Sequence, residues 1–128
     1  MRRRSRRGAG DARYRLGPRI ATLAGGLQET RGLVATARPT LVELAARTGE
    51  ASGLSVPDGS LVHYVDQVDS PNPVQVRDWT GSRIPMHAVS SGQVFLAFMA
   101  APALVRLLAE PRERFTSQTI TEAGQLLD

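Results

Sequence analysis

The sequence predicts an α+β domain in which helices flank an antiparallel sheet. Apolar residues follow a helical period before Gly49, switch to a period of two after it, and return to helical spacing from about Ala88. Helices grouped before and after the strands, rather than between each pair, are typical of an antiparallel sheet. Only about three strands are visible, fewer than in a usual sheet. We therefore expect a domain that is truncated on its C-terminal side.

Length and composition narrow the class of protein. The 128 residues suit one domain, and the absence of cysteine excludes disulfides, thiolate zinc sites and thiol nucleophiles. The most apolar stretch, residues 94–103, is about half as long as a transmembrane helix requires. No apolar segment follows the basic N-terminus closely, as it would in a secretory signal. These features predict a cytoplasmic protein without membrane association.

The positive charge is concentrated at the N-terminus. Residues 1–19 carry eight arginines and one acid, whereas residues 20–128 carry eight arginines and eleven acids. Residues 1–13 have no apolar periodicity, so we expect a disordered basic arm that contacts nucleic acid weakly and without sequence preference. The arginines expected to make this contact are Arg2, Arg3, Arg4, Arg6 and Arg7.

Two helices are expected before the first strand. Pro18 suits the first position of a helix that runs to about Thr30. A second helical face covers residues 33–48, where Pro39 marks either a kink or the true start of the helix. Gly49 follows as a plausible C-terminal cap.

The next segment predicts a β-hairpin followed by one more strand. Residues 54–56 alternate between apolar and polar side chains, and Pro57-Asp58-Gly59 supplies a turn. Residues 61–68 are rich in β-branched and aromatic side chains, which favours a strand. A further short strand is expected over residues 74–79.

Helical signals return in the last third of the chain. We expect one helix over about residues 88–99 and another that starts at Pro102 and stops before Pro111. Thr119 is followed three residues later by Glu122, which is the spacing of a capping box and predicts the start of a last helix.

The sequence does not predict catalytic, metal or cofactor chemistry. His63 and Asp66 are three residues apart on a predicted strand, so alternation would point them to opposite faces and keep them from sharing a metal ion. His87 precedes Ser90 and Ser91, but no G-x-S-x-G turn and no nearby orienting carboxylate accompanies the pair. We expect a protein that is not an enzyme.

The serine-rich helix start is a candidate binding element. Small residues in a first turn leave backbone N–H groups accessible, and the helix dipole favours an anion there. Ser90, Ser91 and Gly92 could therefore bind a small carboxylate, or could reflect ordinary helix packing in which Gly92 permits close approach. His87 would be a pocket-wall or helix-capping residue in either case.

Five blocks of the chain resemble the IclR family of bacterial transcription regulators, in the family's order over about residues 14–128. The blocks are YRLGPRI, ARPTLVELAARTGE, LVHYVDQVDSPNPVQV, GSRIPMHAVSSGQVFLAF and ERFTSQTIT. The most specific block, residues 81–98, resembles the family's G-x-R-x-P-x-H-A-x-x-x-G-K-A-x-L-A. Gln93 stands where the family usually has lysine.

The resemblance implies a winged helix-turn-helix, a linker helix and a GAF-like effector-binding domain, in proteins that form dimers and commonly tetramers. Residues 14–31 would be a wing remnant and the linker helix, and residues 32–128 part of the effector-binding domain. The residues before Tyr14 match nothing of the helix-turn-helix. The family's metabolite pocket implies effector contacts from Val76, Ile84, Ser90 and Ser91, with His87 at the edge.

These observations predict a fragment of a ligand-responsive transcription regulator that binds a small organic-acid-like effector and regulates transcription in its intact form. We expect a homo-oligomer or association with a paralogue, and specific DNA contact only through a domain missing here. The alternative is an interaction module that pairs with a full-length paralogue and modulates it without reading DNA. An unpaired sheet edge should leave the isolated chain marginally folded.

Overall fold

The computed structural model describes residues 19–74 and 76–127, with side chains described from residue 26 onward. The basic arm predicted for residues 1–13, including the five arginines expected to contact nucleic acid, lies outside the described residues, as does the tail of the wing predicted for residues 14–17. The expectations for these segments stay predictions.

The described part of the chain begins with one long helix, α1, over Arg19–Thr48. The expectation of two helices is wrong, because α1 continues through Thr30 and Pro39 lies inside it. Pro39 is exposed, so water can satisfy the backbone carbonyl that its ring leaves without a donor. The predicted cap is confirmed: Gly49 has φ 73° and its amide donates to the Ala45 carbonyl at 2.9 Å.

Three antiparallel strands follow in the described residues, in the order β1-β2-β3. They are β1 over Ser52–Asp58, β2 over Leu61–Val68 and β3 over Arg83–Pro85. The predicted hairpin is confirmed, with Asp58 paired to Leu61 across a two-residue turn. The strand expected over residues 74–79 is wrong, since residues 74 and 76–79 form no strand. Val74 and Val76 are both exposed, so this segment has no buried face to hold it against the sheet.

A bulge interrupts the pairing of β1 with β2. Leu54 pairs with Asp66 and Ser55 pairs with Tyr64, which leaves Val65 without a partner in β1. An extra residue of this kind changes which face the following side chains point to.

Because of the bulge, residues before it and after it in β2 contact different helices. The Tyr64 hydroxyl lies 3.3 Å from the Ser91 hydroxyl on the later helix α2 (Ser90–Ala97), whereas Asp66 accepts from Arg38 of α1 at 2.5 Å. Helices α1 and α2 therefore cover opposite faces of the sheet. His63 and Asp66 would lie on opposite faces only if the side chains alternated without interruption, and the bulge at Val65 breaks that alternation.

The remaining elements are short. A 3₁₀ turn over Met86–Ala88 precedes α2, and α3 covers Ala101–Ala109 as predicted. The last described helix, α4, covers Ala123–Leu127. The prediction that Thr119 caps this helix is wrong, because α4 begins four residues after Thr119. The Thr119 hydroxyl instead accepts hydrogen bonds from the amides of Phe115 and Thr116.

The main core lies between the sheet and the helices that follow it. Val62, Met86 and Leu96 are buried there, with partly buried neighbours that include Val89 and Phe95. On the α1 side, Leu41 and Ala45 are buried, and the buried Ser52 hydroxyl donates to the Leu41 carbonyl at 2.7 Å.

Gly92 sets how closely α2 packs against the 3₁₀ turn. A Cβ atom at this position would lie 2.1 Å from the Met86 carbonyl oxygen and 2.5 Å from the Met86 Cα. Both atoms belong to the backbone and cannot rotate away, so only glycine fits. Of the two interpretations that the sequence left open for Gly92, close helix packing is therefore correct.

Candidate ligand-binding site

A cavity of about 520 Å³ opens between the sheet and the segment that leads into α2. This volume lies within the range of ligand pockets in proteins. Most of its walls are apolar or aromatic. The lining residues are Tyr64, Trp79, Arg83, Ile84, Pro85, Ala88, Val89 and Phe115.

Short-range backbone geometry holds the sheet side of the cavity. Ile84 is placed by its pairing with Val62 in β2. Trp79 precedes a tight turn in which Gly81 has φ 84° and the Ser82 amide donates to the Trp79 carbonyl at 2.8 Å. Because this φ favours glycine, the sequence Thr80-Gly81 is what allows the chain to place Trp79 beside the cavity.

Two further contacts support this turn. The Arg77 guanidinium lies 5.2 Å from the centre of the Trp79 ring, within cation–π range. The Asp78 carboxylate accepts from the Thr80 amide at 2.8 Å. Hydrogen bonds from the Thr80 backbone and side chain hold the pKa of Asp78 below its usual value.

Polar groups stand at the edges of the cavity. Tyr64 lines it, and its hydroxyl lies 3.3 Å from the hydroxyl of Ser91. Arg83 also lines it, and its Nε donates to the Asp58 carboxylate at 2.7 Å. Ala88 and Val89 bring the cavity next to the first turn of α2, whose leading amides have no partner within the helix.

His87 lies behind one wall of the cavity. It is buried, and its Nε2 is 2.8 Å from the Glu113 carbonyl oxygen. A carbonyl only accepts, so Nε2 carries the proton in this contact. The imidazole also stacks on the Phe115 ring, with centroids 6.1 Å apart and an interplanar angle of 29°. His87 thus supports a lining residue and does not itself line the cavity.

The structure brings together some of the predicted effector residues but not all of them. Ile84 lines the cavity, Ser91 reaches it through Tyr64, and His87 reaches it through Phe115. Ser90 is exposed at the start of α2. Val76 lies elsewhere, in a second depression of about 490 Å³. Its neighbours there are Glu50, Asn72, Pro73 and Val74.

Of the eight lining residues, sequence reasoning predicted only Ile84, and four of the seven that it missed have aromatic or charged side chains. Trp79 could have been noticed as the only tryptophan in the chain, directly before a Thr-Gly turn. Tyr64 lies on the predicted strand β2, whereas Arg83 lies on the three-residue strand β3, which the sequence did not predict. Phe115 had no local signal, because its position depends on contacts with His87 and on the fold of its own loop.

Within the described ranges, no group of three or more His, Asp or Glu residues could hold a metal ion. None of the helices described is long and apolar enough to cross a membrane. An α+β domain with a mostly apolar cavity beside a helix start has the arrangement of a small-molecule-binding domain.

Comparison with known proteins gives the family. Residues 27–128 match the family model of the bacterial transcriptional regulator IclR C-terminal domain, so the chain belongs to the IclR family. It is 32% identical over 121 residues to SauR of Cupriavidus necator, a probable transcriptional regulator, covering 94% of this chain and 48% of SauR. The α+β class and the resemblance to this family are thereby confirmed.

Solved structures agree with this assignment. A transcriptional regulator from Rhodococcus sp. RHA1 superposes with a TM-score of 0.72 and 31% identity, covering 88% of this chain and 46% of that chain. An IclR homologue from Microbacterium hydrocarbonoxydans, solved in complex with 4-hydroxybenzoate, gives a TM-score of 0.72 and 26% identity, covering 88% and 47%. The chain spans about half the length of the relatives it matches. SauR and the Rhodococcus protein both carry the description of transcriptional regulators.

Proposed function

We propose that this chain is the effector-binding part of a ligand-responsive IclR-type regulator, and that the cavity beside Ile84 binds a small organic acid with an apolar or aromatic body. The observation that carries the proposal is the cavity itself. Its volume of about 520 Å³ suits a small metabolite, and Trp79, Phe115 and Tyr64 offer aromatic surfaces to a flat ligand.

The charges and dipoles at the edge of the cavity support a ligand that carries an acid group. Arg83 lines the cavity, although its pairing with Asp58 offsets part of its positive charge. The first turn of α2 presents backbone N–H groups and the positive end of the helix dipole. The Microbacterium relative was solved with 4-hydroxybenzoate, which is an acid of this kind. We expect transcription to be regulated in the intact form, with DNA bound by another domain.

Calorimetric titration of the purified chain with 4-hydroxybenzoate tests the proposal. Calorimetry is preferable to fluorescence because hydroxybenzoates absorb light near the excitation band of Trp79. Ala88→Leu adds a branched side chain to the wall of the cavity and should weaken binding at least about tenfold. Ala109→Leu makes the same change at an exposed position at the end of α3 and should leave binding unchanged.

The outcomes separate clearly. Saturable heat that is lost in Ala88→Leu and kept in Ala109→Leu supports the cavity as the effector site. Heat that survives Ala88→Leu at full strength, or no saturable heat with 4-hydroxybenzoate and a panel of aliphatic and aromatic carboxylates, contradicts the proposal.

A second candidate function is association with a second copy of the chain. Phe98 is 88% exposed and stands beside an apolar groove of about 430 Å³. The groove is lined by Pro57, Val94, Phe95, Phe98 and Met99. A protruding ring next to an apolar groove is self-complementary, since a two-fold axis would place the ring of each copy in the groove of the other. This arrangement favours a homodimer in which the apolar face is buried over a monomer in which it is exposed to solvent.

Light scattering after gel filtration tests the dimer. Phe98→Ser should convert a dimer to a monomer, whereas Val74→Ser should not, although Val74 is equally exposed at 89%. A wild-type monomer at concentrations of about 100 μM, or a dimer that persists in Phe98→Ser, contradicts this candidate.

A further inference from the structure

The segment from residue 110 to residue 122, here called the strap, joins α3 to α4 and is folded around two arginines. Arg112 donates from Nε to the Thr121 carbonyl at 2.5 Å and from Nη1 to the carbonyls of Leu108 and Glu110. Arg114 donates to the carbonyls of Ser117 and Thr119 and to the Thr121 hydroxyl. The strap therefore has a defined shape without a helix or strand of its own.

The middle of the strap is poorly buried. All of residues 113–118 are exposed. A segment with few buried apolar contacts opens locally at lower free energy than a packed core does. What holds the strap against the cavity should therefore lie in a small number of identifiable bonds.

One of these bonds comes from His87. The Glu113 carbonyl accepts from His87 Nε2 at 2.8 Å, and two residues later Phe115 stacks on the same imidazole. His87 is well anchored, because it belongs to the 3₁₀ turn whose Met86 is buried and in backbone contact with Gly92. A buried side chain of the rigid part of the domain thus grips the exposed strap beside its cavity-lining residue.

We propose that His87 is a positioning residue that latches the strap, so that Phe115 closes one side of the effector cavity. A ligand in the cavity contacts Phe115 and stabilises the latched strap, and the latched strap in turn strengthens ligand binding, because the two effects are linked. This inference rests on the proposed function, since it takes the cavity as the effector site. Ligand binding should therefore reduce the opening of the strap.

Limited proteolysis with trypsin tests the latch directly. The strap contains two trypsin sites, after Arg112 and Arg114, both of which are engaged in hydrogen bonds when the strap is folded. His87→Ala should raise the cleavage rate at these two sites at least about fivefold, because it removes both the hydrogen bond and the ring contact. Mass spectrometry of the fragments distinguishes these sites from Arg31 and Arg47 in α1, whose cleavage should not change.

Two variants show that the effect is specific. His87→Gln retains an amide that can donate to the Glu113 carbonyl, so it should restore part of the protection. His63→Ala removes the other histidine of the chain, which lies on β2 and pairs with Val56 and Arg83, and should behave as wild type. Equal strap cleavage in wild type and His87→Ala overturns the latch, as does a rise at every arginine together, since that would report global unfolding.

Adding 4-hydroxybenzoate tests the link to the ligand. Under saturation the ligand should slow strap cleavage in the wild type at least about threefold and have a smaller effect in His87→Ala. If calorimetry shows binding in the Ala88-dependent cavity but strap cleavage does not change, the link is overturned. If no ligand binds while His87→Ala still exposes the strap, the effector proposal fails and the latch stands.

Discussion

The two sides of the cavity are held in place by different forces. On one side, β3, the 3₁₀ turn and α2 form what we call the body of the site, where Met86 and Leu96 are buried and Gly92 touches the Met86 backbone. On the other side, residues 113–118 of the strap are exposed, and the strap is held by hydrogen bonds from arginines and from His87. Close packing at Gly92 tolerates no added atom, whereas the strap can open without unfolding the domain. The domain therefore combines a fixed wall with a movable one.

The largest expected effect comes from adding one methyl group to the body. Gly92→Ala places Cβ 2.1 Å from the Met86 carbonyl oxygen, so α2 must move or unfold. We expect a loss of about 3 kcal/mol or more in the free energy of unfolding. Gly32→Ala is the matched control in α1, where nothing lies within 4 Å of the added Cβ, and it should stabilise by about 1 kcal/mol.

Urea unfolding followed by Trp79 fluorescence measures both variants. A Gly92→Ala protein as stable as wild type would show that α2 is free to shift and that the body is not rigid.

A smaller effect is expected where α1 joins the sheet. Arg38→Ala leaves the Asp66 carboxylate, 13% exposed and already with one oxygen lacking a hydrogen-bond partner, without its cation. We expect a loss of about 1 to 2 kcal/mol, limited because Arg38 itself is 52% exposed. Arg47→Ala breaks the exposed pair with Glu43 and should cost about 0.5 kcal/mol or less. Urea unfolding measures the loss in the free energy of unfolding for each variant. Equal losses in Arg38→Ala and Arg47→Ala would mean that the burial of Asp66 adds nothing to the strength of its ion pair.

Phe115→Ala distinguishes the contribution of the strap to ligand binding from the contribution of the body to stability. Because Phe115 is half exposed, its removal should cost about 1 kcal/mol or less in stability. The same change should weaken 4-hydroxybenzoate binding about tenfold, because one aromatic wall of the cavity is lost. Thermal unfolding and calorimetry on one preparation give both numbers. A large loss of stability with unchanged binding would reverse the roles assigned to the two sides.

The smallest expected effect is a pH dependence at the turn before β3. The folded pKa of Asp78 is lowered, so its charged form contributes stability above the unfolded pKa of about 3.9, and this contribution disappears as pH falls through the folded pKa. The stability advantage of wild type over Asp78→Asn should therefore be present at pH 6 and absent near pH 2. Thermal midpoints of both proteins across this range check the sign, and an advantage that grows on acidification would contradict it.

The difference between local and long-range interactions explains which features the sequence could predict. The hairpin and the Gly49 cap were predicted because they depend on local turn chemistry and alternation. The local signals were misleading where long-range contacts determine the structure. The helix α1 runs through Pro39, and residues 76–79, of which 76–78 are exposed, do not pair with the sheet.

The candidate site shows the same pattern. Ile84 was anticipated through the family resemblance and lies in a strand, where pairing with Val62 fixes it. Val76 was expected beside it, but the loop carries it to another depression. Phe115 could not be anticipated, because its place beside the cavity depends on contacts with His87, which is distant in the sequence.

Amide hydrogen exchange with and without 4-hydroxybenzoate tests the central claim most directly, namely that the effector binds between the body and the strap. The account predicts slower exchange in residues 110–118 and 79–89 on addition of the ligand, with no change in residues 26–48 of α1. Protection confined to Glu50, Asn72, Val74 and Val76, which line the second depression, would contradict this claim.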